Sequence, residues 1–401
     1  MTAPPAASVS LEPASPGGRC LRILELRSVW GTGGGPEKTI LLGAAQADPS
    51  RYAVTVCYIR DERDTVFNID QRAKDLGVEY VDVRERNSFD WRVFPALRRI
   101  IRERGIDIVH AHDYKTDLLA LLLARAENVI PFSTAHGFSG MSRKDRAYYF
   151  VDRRLLARFP RVVVVSGRLK QELLDAGARP GRVTVIPNSV DHRQFQREDA
   201  RWRAEARTRL QASPEQFVIG TVGRLEEVKR LDLLLDAFAP IAREHPHAVL
   251  AVVGDGPLKD ALHAQAARLG LTARCRFMGH QSDVRLLLHG FDAYAQSSVS
   301  EGSPNAVLEA MAMSIPVVAT DAGGTTDIMD HGVHGLIVPP LDVDALRAGI
   351  ASLMTDTAGA RTRAIAARAR VEDELSFERR MRRLETIYDD LAADRDARVR
   401  P

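Results

Sequence analysis

Short apolar runs alternate with amphipathic helical patterns along nearly the whole chain, and this alternation limits the fold more than any other feature. Strand–helix alternation of this kind makes parallel sheets with helices on both faces. The sequence therefore predicts an α/β protein with two tandem, Rossmann-like, doubly wound domains. The predicted strands are residues 21–26, 52–59, 78–83, 106–111, 129–135, 161–166 and 182–187, followed by 217–223, 248–254, 274–279, 293–298, 315–320 and 335–340.

The two sets of strands also predict where the domains begin and end. Residues 1–18 lack a helical or strand pattern and are expected to be a disordered tail. An N-terminal domain spans 19–190, a polar linker 191–215 and a C-terminal domain 216–374. Residues 375–401 form a C-terminal helix, whose docking the sequence leaves open, and a tail. Ligands of doubly wound sheets bind beyond the carboxyl ends of the strands, so the cleft between the domains is the expected site.

Composition indicates the cellular compartment in which the protein works. Three cysteines without metal or disulfide spacing favour a reducing compartment. No apolar run approaches the length of a bilayer span, and the N-terminus lacks the pattern of a signal peptide, so we expect a soluble, cytoplasmic protein. The net charge is only +3, yet residues 143–182 carry 11 Lys and Arg against 4 Asp and Glu. This basic stretch is either a set of solvated helix faces or a docking surface.

The stretch SSVSEGSPNAVLEAMA, residues 297–312, sets two glutamates on either side of a predicted helix start. Pro304 fits the first helical position and Ser303 the N-cap. Glu301 then lies in the loop and Glu309 inside the helix, roughly 7 Å further along the axis. We therefore expect the two carboxylates to bracket an anion site made by the first helical amides, those of Asn305 and Ala306.

Three other stretches carry candidate site residues. Arg224 and Lys229 follow a strand end, where two cations can neutralise a diphosphate. The run GTGGGPEK, with Gly33, Gly34 and Gly35, lets a backbone approach a phosphate but is neither a P-loop nor a dinucleotide fingerprint.

His136 lies just past a strand end on the same side of its sheet. His110 and His112 alternate along a strand, so at most one is expected to face the cleft. No His, Cys and carboxylate set has the spacing of a metal site.

Taken in order, these stretches resemble the retaining glycosyltransferases of family 4, with the GT-B fold, over nearly the whole chain. The segment SSVSEGSPNAVLEAMAMSIPVVAT is similar to the family's E-x7-E motif. Other similar stretches, in the expected order, are VGRLEEVK, VIPNSVDHRQF, VVGDGPLKD and DAGGTTDIM.

The resemblance implies a role for each candidate. Glu309 binds the ribose hydroxyls of a nucleotide sugar, and Glu301 lies by the donor sugar. The loop amides that follow, from Gly302 and Ser303 to Asn305 and Ala306, hold the sugar and the phosphate. Arg224 and Lys229 stabilise the departing nucleoside diphosphate. Gly34 and Gly35, with Gly33 as the alternative register, approach the diphosphate, and His136 contacts the transferred sugar.

Two departures from the family pattern stand out. Ser189 and Ser314 replace glycines, which is tolerable where the backbone avoids positive φ. Thr326 and Asp327 stand where a proline–glutamate pair is common, so one wall of the nucleotide pocket is expected to differ.

The predicted reaction is transfer of a sugar from a UDP- or GDP-type donor to a hydroxyl of a glycan, lipid-linked or small-molecule acceptor. It is expected to proceed with retention and without a metal or other cofactor, in cell-envelope or exopolysaccharide synthesis. The alternatives are a nucleotide-sugar epimerase or hydrolase of the same fold, and a catalytically silent sugar-nucleotide-binding protein. Nucleic-acid binding is not expected, because the basic stretch lacks a recognisable module.

A membrane contact is a further hypothesis. The predicted helix in SRKDRAYYFVDRRLLARFPR combines Tyr149, Leu155 and Leu156 with Arg146, Arg153 and Arg154. Such a surface suits an anionic membrane on the inner face of the cell, where a lipid-linked acceptor would lie. A helix packed on its own sheet explains the pattern equally well.

Overall fold

The computed structural model describes residues 19–31, 33–137, 143–197 and 199–399. The predicted tail, 1–18, lies outside the described residues. All thirteen predicted strands are present, although most are shorter than their apolar runs. They are β1 Leu21–Val29, β2 Tyr52–Asp61, β3 Glu79–Glu85, β4 Ile108–Ala111, β5 Ile130–Ala135, β6 Val162–Val164, β7 Val183–Val185, β8 Phe217–Val222, β9 Ala248–Val253, β10 Cys275–Phe277, β11 Ala293–Gln296, β12 Val317–Thr320 and β13 Leu336–Val338.

Helices follow most of the strands, as predicted. They are α1 Gly35–Gln46, α2 Ile69–Asp75, α3 Val93–Arg104, α4 Tyr114–Glu127, α5 Arg143–Leu156, α6 Gly167–Asp175, α7 Ala200–Arg209, α8 Leu231–Glu244, α9 Lys259–Arg268, α10 Arg285–His289, α11 Asn305–Ala312, α12 Thr325–Ile328, α13 Val343–Thr355, α14 Thr357–Asp373 and α15 Phe377–Val399, with short 3-10 turns at Pro180–Arg182 and Glu227–Lys229.

The strands form two parallel sheets. The seven-stranded sheet has the order β3-β2-β1-β4-β5-β6-β7, and the six-stranded sheet has the order β10-β9-β8-β11-β12-β13. In each sheet the order reverses beside the first strand of the set, β1 or β8, which is where doubly wound sheets place their ligands. The predicted α/β class with two Rossmann-like sheets is confirmed.

The described residues divide into two compact units. One contains the chain up to Ser133 together with the residues from Ile387 onward, and the other contains Thr134–Thr386. The C-terminal helix α15 contributes to both. In the second unit the Arg380 guanidinium donates to the carbonyl of Ile186 at 3.0 Å. In the first unit the Tyr52 hydroxyl lies 2.9 Å from the Asp389 carboxylate.

Local sequence explains individual elements. Helix α3 buries Leu97, Ile100 and Ile101, which repeat at helical spacing. It ends at Gly105, which has the left-handed φ of 57° expected of a C-cap. Helix α7 lies inside the predicted linker and buries Ala206 and Arg207, although its sequence is mostly polar.

A buried polar cluster lies in the core of the first unit. Residue Glu25 of β1 is paired in register with His110 of β4. Its Oε1 lies 3.0 Å from Nδ1 of His110 and 3.1 Å from the hydroxyl of Tyr388, while Oε2 contacts Nε2 of His112. His110 and His112 do not alternate between faces, because residues two apart on a strand point to the same face, and both contact Glu25.

Glu25, His110 and His112 are also a group of potential metal ligands, because one ligand atom of each lies within 4.8 Å of the others. Their spacing in the sequence did not reveal this group. Two imidazoles and one hydroxyl can donate to the carboxylate, so hydrogen bonds alone satisfy it. Burial would raise the pKa of Glu25, but His110 and His112 hold it well below its usual range. Burial is the main cause that lowers the pKa of His112 to about 4. The two pKa shifts favour the ionised form of Glu25 and the neutral form of His112.

The two serines that replace family glycines behave differently. Ser189 is not among the residues with positive φ, whereas Ser314, between α11 and β12, has a φ of 51°. We expected serine to replace glycine only where the backbone avoids positive φ. Ser314 does not meet this condition, because its φ is positive. The tight turn from α11 into β12 requires the left-handed backbone, with the Ser314 amide donating to the Met311 carbonyl at 3.0 Å.

Substituting glycine at this turn is expected to stabilise the protein. Ser314→Gly should raise the free energy of unfolding by about 0.5–1 kcal/mol, because glycine adopts positive φ without the Cβ penalty but loses more entropy on folding. Urea unfolding checks this. Ser189→Gly, which gains no relief of strain, is the matched control and should be neutral or destabilising. A loss of stability in Ser314→Gly would contradict the strain argument.

Among the described residues, no helix has a stretch long and apolar enough to cross a bilayer.

Candidate functional site

The loop after β11 carries a carboxylate that pairs with a lysine at the edge of the second sheet. Oε1 of Glu301 accepts from Lys229 Nζ at 2.7 Å, from Ser298 Oγ at 2.6 Å and from Gln296 Nε2 at 3.1 Å. The second oxygen, Oε2, receives none of these three bonds. Lys229 comes from the 3-10 turn after β8, so the adjacent strands β8 and β11 deliver the two side chains to one place.

Arg224 is not part of this pairing. Its guanidinium forms an ion pair with Glu226 at 2.7 Å, and 72% of its side chain is exposed. The structure therefore brings Lys229 and Glu301 together, whereas Arg224 pairs with Glu226. A long, exposed arginine can change rotamer at small cost, so its predicted role beside a diphosphate stays a prediction.

Gly302 fits against the segment that carries His136. A Cβ at Gly302 would lie 2.0 Å from the His136 carbonyl oxygen, so no other residue fits without a backbone shift. A Cβ at Gly324 would in turn lie 1.8 Å from the Gly302 carbonyl oxygen. Three backbone segments thus meet around Gly302, which places His136 in the chain next to the Glu301 loop.

Helix α11 begins one residue later than predicted. Its N-cap is Pro304, which makes no side-chain capping bond, and Asn305 is the first helical residue. The prediction that Ser303 is the N-cap was wrong. The Ser303 hydroxyl instead accepts a hydrogen bond from the main-chain N–H of Asn188 at 3.0 Å. The side-chain Nδ2 of Asn188 donates to the main-chain carbonyl of Ser303.

Because the N-cap residue is Pro304, its side chain offers no acceptor to the first amides of α11. Such amides can receive an anion. Glu309, one turn further along, is 8% exposed. Burial raises the pKa of the Tyr294 phenol, and the charges of Glu301 and Glu309 add to the shift. Both carboxylates therefore lie near this fully buried tyrosine of β11, which sequence analysis did not single out.

The departure at Asp327 has a structural explanation. Its carboxylate oxygens accept from the Gly167 amide, at the start of α6, at 3.0 and 3.1 Å. Burial raises the pKa of Asp327 above its ordinary value. The Thr326 hydroxyl donates to the Gly323 carbonyl at 3.3 Å. Asp327 thus serves as an acceptor for a helix N-terminus.

The glycine loop, which we define as Gly33 to Gly35, belongs to the first unit. Gly33 has a φ of 70°, and Gly34 is the N-cap of α1. The Gly34 amide donates to Oε2 of Glu37 at 2.6 Å, while Oε1 of Glu37 accepts from Arg27 Nε at 2.5 Å. Burial would raise the pKa of Glu37, but Arg27 and the Gly34 amide together lower it.

Sequence analysis missed Arg27 and Glu37. The available signal was the glutamate three positions after Gly34, which is the spacing of a capping box.

Comparison with known proteins identifies the family. The chain is 30% identical over 302 residues to a glycogen synthase of Mycobacterium tuberculosis, covering 73% of this chain and 70% of that protein. Residues 203–371 match the model of glycosyl transferases group 1, and residues 33–194 match that of glycosyltransferase family 4. The chain belongs to this glycosyltransferase family.

Other relatives and solved structures agree with this assignment. The glycosyltransferase is also 30% identical over 290 residues to a D-inositol 3-phosphate glycosyltransferase of Mycobacterium marinum, covering 68% of this chain and 60% of that protein. Its fold is similar to that of Anabaena HepE in complex with UDP-glucose, with a TM-score of 0.81, 22% identity and coverage of 92% and 100% of the two chains. The GT-B fold is thereby confirmed. The relatives' names differ in acceptor, so family membership alone does not select one.

Proposed function

We propose that this glycosyltransferase moves a sugar from a nucleotide-sugar donor to an acceptor hydroxyl, with retention at the anomeric carbon. The observation that carries the proposal is the Lys229–Glu301 ion pair in the loop that leads into α11, a helix whose N-cap residue makes no side-chain capping bond. A cation and free helical amides together suit a leaving diphosphate better than either does alone.

Each group of the site receives a role in this proposal. Lys229, Arg224 and the Asn305 and Ala306 amides stabilise the charge that develops on the leaving diphosphate. Oε2 of Glu301 accepts from a sugar hydroxyl, Glu309 binds the ribose, and His136 contacts the transferred sugar.

The main-chain amides of Gly302 and Ser303 line the sugar side, and the loop of Gly34 and Gly35 approaches the diphosphate. Guanidinium, ammonium and helical amides supply positive charge in this scheme, so the proposal includes no metal and no cofactor beyond the donor. A UDP- or GDP-type donor fits, and the presence of UDP-glucose in the HepE structure supports uridine.

Acceptor dependence separates the proposed transferase from its alternatives. We expect nucleoside diphosphate release from the correct donor to rise at least tenfold when extracts of cell-envelope lipids or glycans are added. Equal turnover of the donor with and without acceptor would instead indicate an epimerase or hydrolase, and binding without any turnover a silent sugar-nucleotide-binding protein. A screen of UDP- and GDP-sugars, followed by mass analysis of the products, makes the measurement. Acceptors in cell-envelope or exopolysaccharide synthesis are the ones we propose.

The exposed face of α5 is proposed as a contact with anionic membrane at the inner face of the cell. The sequence-based version of this surface was partly wrong, because Leu156 is buried and Arg153 pairs with Glu172. The Arg146 side chain lies outside the described residues. Helical periodicity turns a different stripe outward, consisting of Phe150, Val151 and Arg154.

This stripe has the chemistry of an interfacial helix. Phe150 is 57% exposed and Val151 53% exposed, and the Arg154 guanidinium lies 3.5 Å from the centre of the Phe150 ring. We expect Phe150→Ser with Arg154→Glu to reduce cosedimentation with anionic vesicles at low salt by at least fivefold, because both apolar insertion and charge attraction are lost. Arg243→Glu, an exposed change in the other sheet's domain, should leave binding unchanged. Equal binding by both variants would contradict the contact.

A further inference from the structure

A buried ion pair between Arg27 and Glu37 holds the glycine loop of the first unit. The proposed function gives this pair no role. Glu37 is 4% exposed and uses both carboxylate oxygens, one for the Gly34 amide and one for Arg27 Nε. Arg27 is itself fixed, because its second guanidinium nitrogen donates to the His112 carbonyl at 2.6 Å. The pair therefore connects the loop rigidly to the end of β4.

The loop also packs directly on the glutamate side chain. A Cβ at Gly33 would lie 2.8 Å from Cγ of Glu37, and the left-handed φ of Gly33 turns the chain into this contact. Backbone conformation and side-chain position are thus coupled. Movement of the Glu37 carboxylate would move the Gly34 amide and with it the first turn of α1.

This arrangement decides which amide of the loop can meet a phosphate. The Gly34 N–H is already donated to Glu37, and Pro36 has no N–H. The Gly35 amide lies between them at the first position of α1, where helical amides lack partners within the helix. The Glu37 carboxylate would repel a phosphate bound at this loop, and Arg27 offsets that charge.

We infer that Arg27 and Glu37 are positioning residues that hold the glycine loop so that the Gly35 amide faces the donor's diphosphate. The inference rests on the proposed function and deepens it. Glu37 orients the loop through the Gly34 amide, and Arg27 both fixes Glu37 and neutralises it. Neither side chain touches the substrate. Their removal should therefore weaken binding of the diphosphate group while leaving the nucleoside unaffected.

Calorimetric titration with a nucleoside diphosphate and with the corresponding monophosphate tests this separation. UDP and GDP are tried first on the wild-type protein, and the base that binds is used throughout. For Glu37→Gln we expect about tenfold weaker binding of the diphosphate and less than twofold change for the monophosphate. Arg27→Met should weaken diphosphate binding more than Glu37→Gln does, because it leaves the carboxylate uncompensated. The matched control is Glu103→Gln, the same change at an exposed residue of α3, which should alter neither affinity.

The outcomes are distinguishable. Failure of the wild-type protein to bind either diphosphate would overturn the proposed function itself. If the wild type binds but Glu37→Gln changes neither affinity, or lowers both equally, the positioning role is overturned. Monophosphate binding reports that a variant is folded. Should Glu37→Gln not fold, Arg27→Lys is judged by the same ratio, with an intermediate loss of diphosphate affinity expected because charge is kept and the two-point contact is lost.

Discussion

Lys229→Ala is expected to lower kcat by about 10²–10³ with a smaller change in KM for the donor. The ammonium group lies 2.7 Å from Glu301, in the loop that leads into α11, and the proposed function places the leaving diphosphate there. A preorganised donor of this kind contributes mainly in the transition state, which is why turnover should fall more than binding. Steady-state kinetics with saturating acceptor measure both constants.

Two variants calibrate this result. Lys74→Ala removes an exposed lysine of α2 and should leave kcat unchanged. Glu309→Ala should mainly raise the donor KM, because the proposed contact with the ribose is present in the ground state and the transition state alike. Unchanged kcat in Lys229→Ala would refute the assignment of leaving-group stabilisation to this residue. So would a loss confined to KM.

Glu25→Gln is expected to lower the free energy of unfolding of the first unit by about 2–3 kcal/mol at neutral pH. The carboxylate is the common acceptor for His110, His112 and Tyr388, and an amide in its place leaves buried donors without a charged acceptor. Urea unfolding of the full chain measures the shift. Glu62→Gln, a change of the same chemistry at a less buried residue of the same unit, serves as control and should cost less than 1 kcal/mol. An equally small loss in Glu25→Gln would contradict the buried network.

The same cluster predicts a direction for pH dependence. The folded-state pKa of His112, about 4, lies below its unfolded value of 6.5, so the unfolded chain binds the proton more readily between these limits. Stability should fall as pH drops from 6.5 towards 4, by up to about 1.4 kcal/mol per pH unit. The depressed pKa of Glu25 adds a loss of the same sign at more acidic pH. His112→Gln should flatten the decline between pH 6.5 and 5, and an unchanged slope would show that other groups cause it.

Local periodicity was enough to predict the strands, because an apolar run bounded by turn residues depends on neighbours in sequence alone. It also predicted Lys229 and Glu301 at one sheet edge, since parallel strands end on the same side. The Glu25 cluster depends on the register of β1 against β4 and on α15, which is distant in sequence. The spacing of residues along the sequence does not predict contacts between such distant elements.

The errors near the site have the same origin. Serine is a common N-cap residue, but the Ser303 hydroxyl accepts a hydrogen bond from the main-chain amide of Asn188, 115 positions away. Leu156 fits an amphipathic stripe, but the packing of α5, which contacts α6, buries it. Glu37 was visible as a residue three positions after Gly34, yet its partner Arg27 lies on the preceding strand. Side-chain partners across elements required the structure.

The anomeric configuration of the product tests the central claim most directly. Once a donor and an acceptor are found, proton NMR of the purified product gives the coupling constant of the transferred sugar's anomeric proton. A product with the same configuration as the donor, formed by the wild-type protein and reduced about 10²–10³-fold in rate by Lys229→Ala, is the predicted result. An inverted product, or transfer that persists at full rate without Lys229, would contradict the account.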